Sequence, residues 1–302
     1  MRTQRMAPGR GATFGALVAA LLALGYLGVH TGNAQAAGGS EPPGVARVGA
    51  APAPVPGPAA GRPGARPHHL PDGDAASVHT LVLAHRGGRE RAAENSMAAF
   101  EDAITIGVDY IETDVRHSLD GVAFLVHDPT LPRACEPYAG HPVNLLTAAL
   151  LDTVRCNGQP VPHLSAVVAR LLRPDAANVS LMVEIKDTDP LGVRDAVAPL
   201  GWRRVLVESF NLAALHRIET ASPQVRTCAI FGAASTLPEA LAVTHDCVAP
   251  EQTAVSAGLI ARSHAAGALV LPWTVDDPAT MAHLVALGCD GLITDKPRTA
   301  PH

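Results

Sequence analysis

The segment VDYIETDVRHSLDGVAFLVHD, residues 108–128, contains the pattern that is most informative about the fold. It holds two apolar runs, 108–115 and 122–128, whose composition is typical of strands. The segment between them is too short for a crossover helix, and its Asp-Gly dipeptide is a strong signal for a two-residue hairpin turn. We therefore predict an antiparallel hairpin in which Asp114 lies opposite His127.

Beyond this hairpin, residues 80–302 alternate short apolar runs with helix-like stretches, which is typical of a parallel α/β domain. The strand candidates are 80–85, 108–115, 122–128, 179–186, 204–210, 226–231, 246–250, 268–275 and 291–295. The helix candidates are 95–106, 163–172, 211–220, 236–243, 255–266 and 278–287. Nine strands are one more than an eight-stranded (β/α) barrel takes, and the hairpin accounts for the extra strand.

The N-terminal residues 1–36 have the order of a secretory signal peptide. Three arginines precede a charge-free apolar stretch, 11–29, and small residues follow up to Ala36. We expect cleavage after Ala36 and a secreted or extracytoplasmic protein without a membrane span. The alternative is an uncleaved anchor, because about 19 apolar residues can just cross a bilayer.

Residues 37–79 are predicted to be a linker. Nine of the 31 positions from 41 to 71 are Pro, and such a composition is semi-extended and solvated. The linker either holds the following domain, residues 80–302, away from a cell surface or has no specific role.

The charge of the chain excludes two classes of partner. The net charge is −5, whereas nucleic acids and anionic membrane surfaces require a broad basic surface. Only two of the 23 basic residues are lysines, Lys186 and Lys296. A small anionic substrate must therefore be held by a few local cations.

Five cysteines in an exported chain predict disulfides. Cys135 and Cys156 bracket a loop-like segment, and we favour this pair. Cys228 and Cys247 form a weaker second candidate, which leaves Cys289 as a buried thiol. The alternative is that the last three cysteines are simply small core residues.

Distinctive polar residues follow the apolar runs, at the ends where barrel enzymes place their sites. Glu112 and Asp114 are two apart on a strand and so share one face. With Glu184 they form three convergent carboxylates, which require a cation. Ligation by oxygen alone suits Mg²⁺ or Ca²⁺ better than Zn²⁺.

Further residues at these ends suit acid/base chemistry and phosphate binding. His85 and His127 suit general base and general acid roles near neutral pH. Arg86 and Lys186 suit phosphate, as a bidentate fork and a point charge. Taken singly, each has a plainer interpretation: a structural histidine, a solvated charge or, for Trp273, core packing.

Taken together and in order, the motifs resemble the glycerophosphodiester phosphodiesterase family. They are His85-Arg86-Gly87, Glu94-Asn95-Ser96, Glu112-Thr113-Asp114-Val115, His127-Asp128, Glu184-Ile185-Lys186, Ser209-Phe210, Trp273-Thr274-Val275 and Asp290 to Pro297. The resemblance runs from about residue 81 to residue 298. It departs from the usual pattern at Ala93, where Pro is typical, and at Ser96, where Thr is typical; Asn95 or Ser96 can cap the following helix.

The resemblance implies a TIM-type (β/α)8 barrel with a loop-rich insertion after the third strand, within residues 129–178. It implies hydrolysis of small-molecule glycerophosphodiesters to glycerol 3-phosphate and an alcohol, with Ca²⁺ or Mg²⁺. The implied roles are acid/base catalysis by His85 and His127, metal ligation by Glu112, Asp114 and Glu184, phosphate binding by Arg86 and Lys186, and lining of the glycerol pocket by Trp273. Attack on phosphorus by a glycerol hydroxyl or by water both remain open.

Two other functions are compatible with parts of the pattern. One is a related barrel phospholipase of the sphingomyelinase D type, which is similar in its two histidines and paired carboxylates. The other is a secreted binding protein on a degenerate barrel. The later motifs, especially Trp273-Thr274-Val275, argue against the first. The presence of all five acid/base and metal positions argues against the second.

Overall fold

The computed structural model of the protein describes residues 79–187 and 189–301. The predicted signal peptide, 1–36, and all of the predicted linker except His79 lie outside the described residues. Within the described part of the chain, no helix is both long enough and apolar enough to cross a membrane.

Strands and helices alternate through most of the described chain. The strands are β1 (Leu81–Ala84), β2 (Tyr110–His117), β3 (Ala123–Leu125), β4 (Cys135–Glu136), β5 (Arg155–Cys156), β6 (Gln159–Pro160), β7 (Ser180–Ile185), β8 (Val205–Ser209), β9 (Arg226–Phe231), β10 (Cys247–Pro250), β11 (Leu269–Val270) and β12 (Gly291–Thr294). The helices are α1 (Met97–Ile106), α2 (Ala148–Leu151), α3 (Leu164–Leu171), α4 (Pro190–Val197), α5 (Leu212–Ala221), α6 (Leu237–Val243), α7 (Ala257–Ala265) and α8 (Pro278–Leu287).

Eight strands of the described residues pair in parallel, in the order β11-β10-β9-β8-β7-β2-β1-β12. The two ends of this sheet meet, because Asp290 N–H donates to Val270 O (3.1 Å) and Ile293 N–H donates to Pro272 O (3.0 Å). The predicted (β/α)8 barrel is therefore confirmed. The predicted strand 268–275 is regular only over β11, since Pro272 has no N–H to donate to a ladder.

Alternation along the barrel strands separates two apolar layers. On β1, Val82 and Ala84 pack in the layer between the sheet and the helices, whereas Leu81 and Leu83 point into the barrel interior. This follows from the two-residue period of a strand. The same alternation turns selected polar side chains of other strands inward.

The hairpin of β2 and β3 is antiparallel, as predicted, but its turn differs. Ser118 N–H donates to Val122 O (2.9 Å), so the loop has three residues rather than two. Its last residue, Gly121, has a φ of 82°, the left-handed conformation that closes three-residue hairpin loops. The Asp-Gly dipeptide therefore supplies the end of a longer turn.

The longer turn shifts the register of the hairpin by one residue. Val126 N–H donates to Asp114 O (3.1 Å), which places Val126, not His127, next to Asp114 in the ladder. The prediction that Asp114 lies opposite His127 is therefore wrong. His127 follows the end of β3, and the path of that loop determines where its side chain lies.

A loop-rich segment separates β3 from α3, as predicted. It contains the three-stranded sheet β4-β5-β6 and a hydrophobic cluster of its own, which includes Phe124, Leu131 and Leu151. A disulfide joins Cys135 to Cys156, which confirms the favoured pair. The insertion thus has a small hydrophobic core of its own, which a disulfide cross-links.

The second disulfide lies inside the barrel. Cys228 on β9 and Cys247 on β10 are register partners, and they are bonded to each other. Both belong to the interior apolar cluster. Cys289 is a buried free thiol. The predictions for these three cysteines are therefore confirmed.

Two helices of the described residues were not predicted, the four-residue α2 in the insertion and α4. Helix α4 begins after Asp189, whose carboxylate accepts a hydrogen bond from Gly192 N–H (3.0 Å), and has Pro190 at its first position. Gly192 within the segment weakens its helical signal. The six predicted helices are present, with ends shifted by at most two residues.

Candidate active site

Three buried carboxylates meet at the carboxyl end of the barrel. Glu112 and Asp114 share the inner face of β2, and Asp114 is the register partner of Glu184 on β7. Each of these side chains offers an oxygen within 4.8 Å of an oxygen of the others. The structure thus brings together the three residues predicted to bind a metal.

Two basic side chains contact this cluster. Lys186 Nζ lies 2.6 Å from Glu184 Oε2 and 3.1 Å from Asp114 Oδ1. Arg86 Nε lies 3.1 Å from Asp114 Oδ2, and the Arg86 backbone N–H donates to Glu112 Oε2 (2.7 Å). The Nε ion pair has no hydrogen-bond geometry. Both cations predicted to bind phosphate therefore border the carboxylates.

The acidity of the three carboxyl groups differs strongly. Burial, and then the charge of Asp114, raise the pKa of Glu112 well above its ordinary value. Burial likewise raises the pKa of Glu184 to about 7, although Lys186 opposes this. Burial alone would raise the pKa of Asp114, but Lys186, Arg86 and an amide hydrogen bond together lower it. The protein therefore compensates only one of the three carboxylates fully.

These oxygen ligands fit a hard divalent cation. Each is a carboxylate, and each is at most 7% exposed. Ca²⁺ and Mg²⁺ prefer carboxylate oxygens, whereas Zn²⁺ favours nitrogen and sulfur. A divalent charge at this position would compensate the two carboxylates whose ionisation is unfavourable.

His85 lies on one side of the cluster. Its Nδ1 is 2.7 Å from Asp295 Oδ1, and its Nε2 is 4.0 Å from Glu112 Oε2. When Nδ1–H donates to Asp295, Nε2 faces the cluster with its lone pair free. Asp295 follows β12, so closure of the barrel orients this histidine.

His127 reaches the site from the insertion side. Its Nδ1 is 2.8 Å from Asp128 Oδ1, and its side chain is 34% exposed. Burial lowers its pKa, while the charge of Asp114 opposes this change. Arg116 Nε donates to the His127 carbonyl oxygen (2.9 Å) and so holds the backbone at this position.

Trp273 lies at the barrel mouth next to Phe210. Its Nε1–H donates to Ala249 O (2.9 Å), and its ring meets Phe210 edge-on with 5.5 Å between centroids. Lys186 Nζ lies 5.9 Å from the centroid of the Phe210 ring. The predicted substrate-binding tryptophan is therefore linked to the charged cluster through an exposed aromatic ring.

Sequence reasoning missed four residues that position these groups or adjoin them. Asn95 Nδ2 donates to Asp114 Oδ2 (2.8 Å), whereas the cap of α1 is Ser96, whose Oγ accepts from Ala99 N–H. The other three are Asp295 beside His85, Arg116 behind His127, and Glu208, a fourth buried carboxylate on β8. Asn95 and Asp295 lay in quoted motifs, but no local pattern indicated their contacts.

Comparison with known proteins agrees with this arrangement. Residues 85–299 match the sequence profile of the glycerophosphoryl diester phosphodiesterase family. The chain is 27% identical over 237 residues to a glycerophosphodiester phosphodiesterase of Caldanaerobacter subterraneus subsp. tengcongensis, covering 74% of this chain and 96% of the relative.

Solved structures show the same fold. A glycerophosphodiester phosphodiesterase from Agrobacterium tumefaciens C58 matches with a TM-score of 0.64 and 27% identity, over 73% of this chain and 98% of its own. A phosphodiesterase from Oleispira antarctica, solved with the product sn-glycerol-3-phosphate, matches with a TM-score of 0.63 and 22% identity. That match covers 72% of this chain and 94% of the Oleispira chain.

Proposed function

The chain belongs to the glycerophosphoryl diester phosphodiesterase family, and we propose that its barrel hydrolyses glycerophosphodiesters to glycerol 3-phosphate and an alcohol with the help of a divalent cation. One observation carries this proposal: two histidines flank three buried carboxylates that also contact two basic side chains. The product bound in the structure of the Oleispira phosphodiesterase supports the same substrate class.

Glu112, Asp114 and Glu184 would hold the cation. When bound, the cation neutralises charge on the phosphate oxygens and lowers the pKa of a nearby hydroxyl. Arg86 and Lys186 bind the same phosphate: the guanidinium supplies a bidentate fork, and the ammonium supplies a point charge. Both are pre-positioned by their contacts with Asp114.

His85 acts as the general base at its Nε2 atom. Asp295 orients the imidazole through Nδ1. Burial alone would raise the pKa of Asp295, but the hydrogen bond and charge of His85 and the charges of Arg89 and Arg86 together lower it. The ionised carboxylate stabilises the imidazolium that forms when Nε2 takes the proton of the attacking hydroxyl.

His127 acts as the general acid. Burial lowers its pKa, so its imidazolium releases a proton to the oxygen of the leaving alcohol more readily. Its partial exposure is consistent with contact to a leaving group that extends towards solvent. Trp273 and Phe210 provide an apolar wall against which the carbon atoms of glycerol pack.

The test is hydrolysis of a panel of glycerophosphodiesters after removal of bound cations. Glycerophosphocholine, glycerophosphoethanolamine and glycerophosphoinositol are assayed with chelator, and then with Ca²⁺ or Mg²⁺ added back. We expect activity to be lost on chelation and restored by one of the ions. Full activity after chelation would contradict the role of the cation. Absence of glycerol 3-phosphate from every reaction would contradict the proposed activity.

The proposal includes export of the protein. Two disulfides support folding in an oxidising compartment. Residues 1–36 are proposed as a cleaved signal peptide and 37–79 as a linker, with the catalytic domain in 80–302. N-terminal sequencing of the protein from its native host should begin at Ala37, and a protein that retains Met1 in the cytoplasm would contradict export.

A further inference from the structure

We propose that Glu208 is an outer carboxylate of the cation site, which acts on the bound cation from outside the three direct ligands and strengthens its binding. This inference rests on the proposed function, since it concerns the cation held by Glu112, Asp114 and Glu184. It adds a residue from a strand, β8, that contributes none of those three ligands.

The register of the barrel determines where Glu208 points. Glu208 on β8 pairs with Glu184 on β7 and with Cys228 on β9. Partners in parallel strands turn their side chains to the same face of the sheet. Cys228 packs in the barrel interior, so Glu208 also points inward. It is only 2% exposed.

The charged groups that Glu208 faces are those of the cation site. After burial, the charges of Glu112 and Glu184 contribute most to raising its pKa, Lys186 opposes them, and Asp114 adds to them. Three of these four neighbours are carboxylates. The one cation, Lys186, already lies within 3.1 Å of both Asp114 and Glu184.

An oxygen of Glu208 has no partner. Among the described residues, Oε2 is one of few buried side-chain polar atoms without a hydrogen bond. A buried carboxyl oxygen without a partner is unfavourable, whether the group is ionised or protonated. A cation held by the neighbouring carboxylates would offset the negative charge of Glu208 electrostatically, which explains why an acidic residue is tolerated here.

Glu208 lies outside the group of mutually close donor oxygens. It therefore acts on the cation through its charge, rather than as a fourth direct ligand. Outer partners of metal ligands commonly change metal affinity by about 10- to 100-fold. Added negative charge favours Ca²⁺, whose affinity depends on the number of charged oxygens and which accepts irregular surroundings better than Mg²⁺ does.

The experiment compares cation binding by the wild type, Glu208→Gln and Glu219→Gln after chelation and dialysis. Isothermal titration with Ca²⁺ and with Mg²⁺ gives the dissociation constants. The glutamine at 208 keeps the shape of the side chain and removes its charge. Glu219 lies on α5 and accepts a hydrogen bond from Thr227, so its variant loses the same charge outside the barrel interior.

We expect Glu208→Gln to weaken Ca²⁺ binding about tenfold or more, with a smaller change for Mg²⁺, and Glu219→Gln to leave both unchanged. Equal Ca²⁺ affinity in the wild type and Glu208→Gln would overturn the role of Glu208 and leave the proposed function intact. A wild type that binds neither cation would overturn the proposed cation itself.

Thermal unfolding provides a second measurement. If Glu208 had only a structural role, Glu208→Gln would lower the Tm without cation, whereas the proposal expects no such loss. Without cation, Glu208→Gln should be about as stable as the wild type, because glutamine keeps the shape of the side chain and Oε2 of the wild-type residue makes no hydrogen bond that could be lost. Its rise in Tm on addition of Ca²⁺ should be smaller. A variant that fails to fold, or that loses stability without cation while keeping its Ca²⁺ affinity, would overturn the proposal.

Discussion

Two residues at the site, Arg86 and Asn95, have left-handed backbones, each with a φ of 51°. Asn tolerates this conformation, whereas it is unusual for Arg. Asn95 N–H donates to Arg86 O (2.9 Å), so the two unusual residues support each other. The result is that Arg86 directs its backbone N–H at Glu112 and its guanidinium at Asp114. Local strain of this kind is typical of functional sites.

Substitution of His127 tests its role as the general acid. We expect His127→Gln to lower kcat by about 10²- to 10⁴-fold, because glutamine cannot protonate the leaving alcohol. KM should change little, since Arg86 and Lys186 hold the phosphate. The measurement is steady-state hydrolysis of glycerophosphocholine. His216→Gln, an exposed histidine on α5, is the matched control and should keep full activity. A kcat of His127→Gln close to the wild-type value would contradict the role of His127 as general acid.

A second histidine should affect stability in a pH-dependent way. His117 Nδ1 lies 2.8 Å from Asp187 Oδ1, which raises the pKa of His117 above its ordinary 6.5. The same hydrogen bond helps to lower the pKa of Asp187 below 3.8, against the effect of burial. The ion pair therefore stabilises the fold most at pH values between the ordinary pKa values of Asp and His, where both groups are charged in the folded protein. Its contribution is lost as the pH rises through the folded pKa of His117 or falls through that of Asp187.

We therefore expect His117→Gln to lower the free energy of unfolding by about 1–2 kcal/mol at pH 5, and by clearly less at pH 9. Urea unfolding at the two pH values measures this difference. His216→Gln again serves as the control and should show no such dependence. An equal loss at both pH values would mean that packing, rather than the ion pair, explains the effect.

Among the elements, the turn between β1 and α1 requires close packing. A Cβ at Gly87 would lie 2.8 Å from the Ala99 Cβ and 2.8 Å from a ring carbon of Phe100. The φ of Gly87 is +86°. The turn that carries His85 and Arg86 can thus lie on α1 only because this residue has no side chain.

Gly87→Ala should therefore destabilise the protein by about 1–3 kcal/mol more than Gly107→Ala, and should also reduce hydrolysis. Gly107 is the matched control: its φ is +79°, but nothing lies within 4 Å of its Cβ position. Its variant measures the cost of backbone conformation alone. Urea unfolding and kcat/KM of both variants make the comparison. Equal losses of stability would show that the contact with α1 does not limit this position.

At the scale of the whole molecule, the disulfide-linked core of the insertion lies directly next to His127, the proposed general acid. Val126, directly before His127, packs in the insertion cluster together with Cys135. The disulfide to Cys156 joins residues that are 21 positions apart in the chain. Its removal should therefore affect both global stability and the placement of His127.

We expect the double variant Cys135→Ser/Cys156→Ser to lower the free energy of unfolding by about 3 kcal/mol and to reduce kcat. Cys289→Ala keeps both disulfides and is the control for loss of a buried sulfur. The measurements are urea unfolding and hydrolysis of glycerophosphocholine. Unchanged stability and kcat in the double variant would show that the insertion holds its shape without the disulfide.

The charge of the whole domain explains why the site depends on so few groups. Residues 80–302 contain 17 basic and 25 acidic residues, so the overall field does not attract a phosphate diester. Arg86 and Lys186, together with the proposed cation, must supply the local positive potential. One of the two lysines in the chain, Lys186, lies at this position.

Local sequence patterns are enough to predict the alternation of strands and helices, the common face of Glu112 and Asp114, and the favoured disulfide. These depend on short-range periodicity and spacing, which the chain displays directly. The extra strand and its hairpin could also be predicted from the sequence, because the segment that joins 108–115 to 122–128 is too short for a crossover helix.

The remaining contacts depend on how distant parts of the chain pack together. The hairpin register depends on how Ser118 closes its loop, and a shift of one residue changes which side chain lies next to Asp114. Asp295 meets His85 across 210 residues only because the barrel closes. Glu208 faces Glu112 only because β8 pairs with β7 in one particular register. Such contacts depend on long-range packing, which no local pattern of residues encodes.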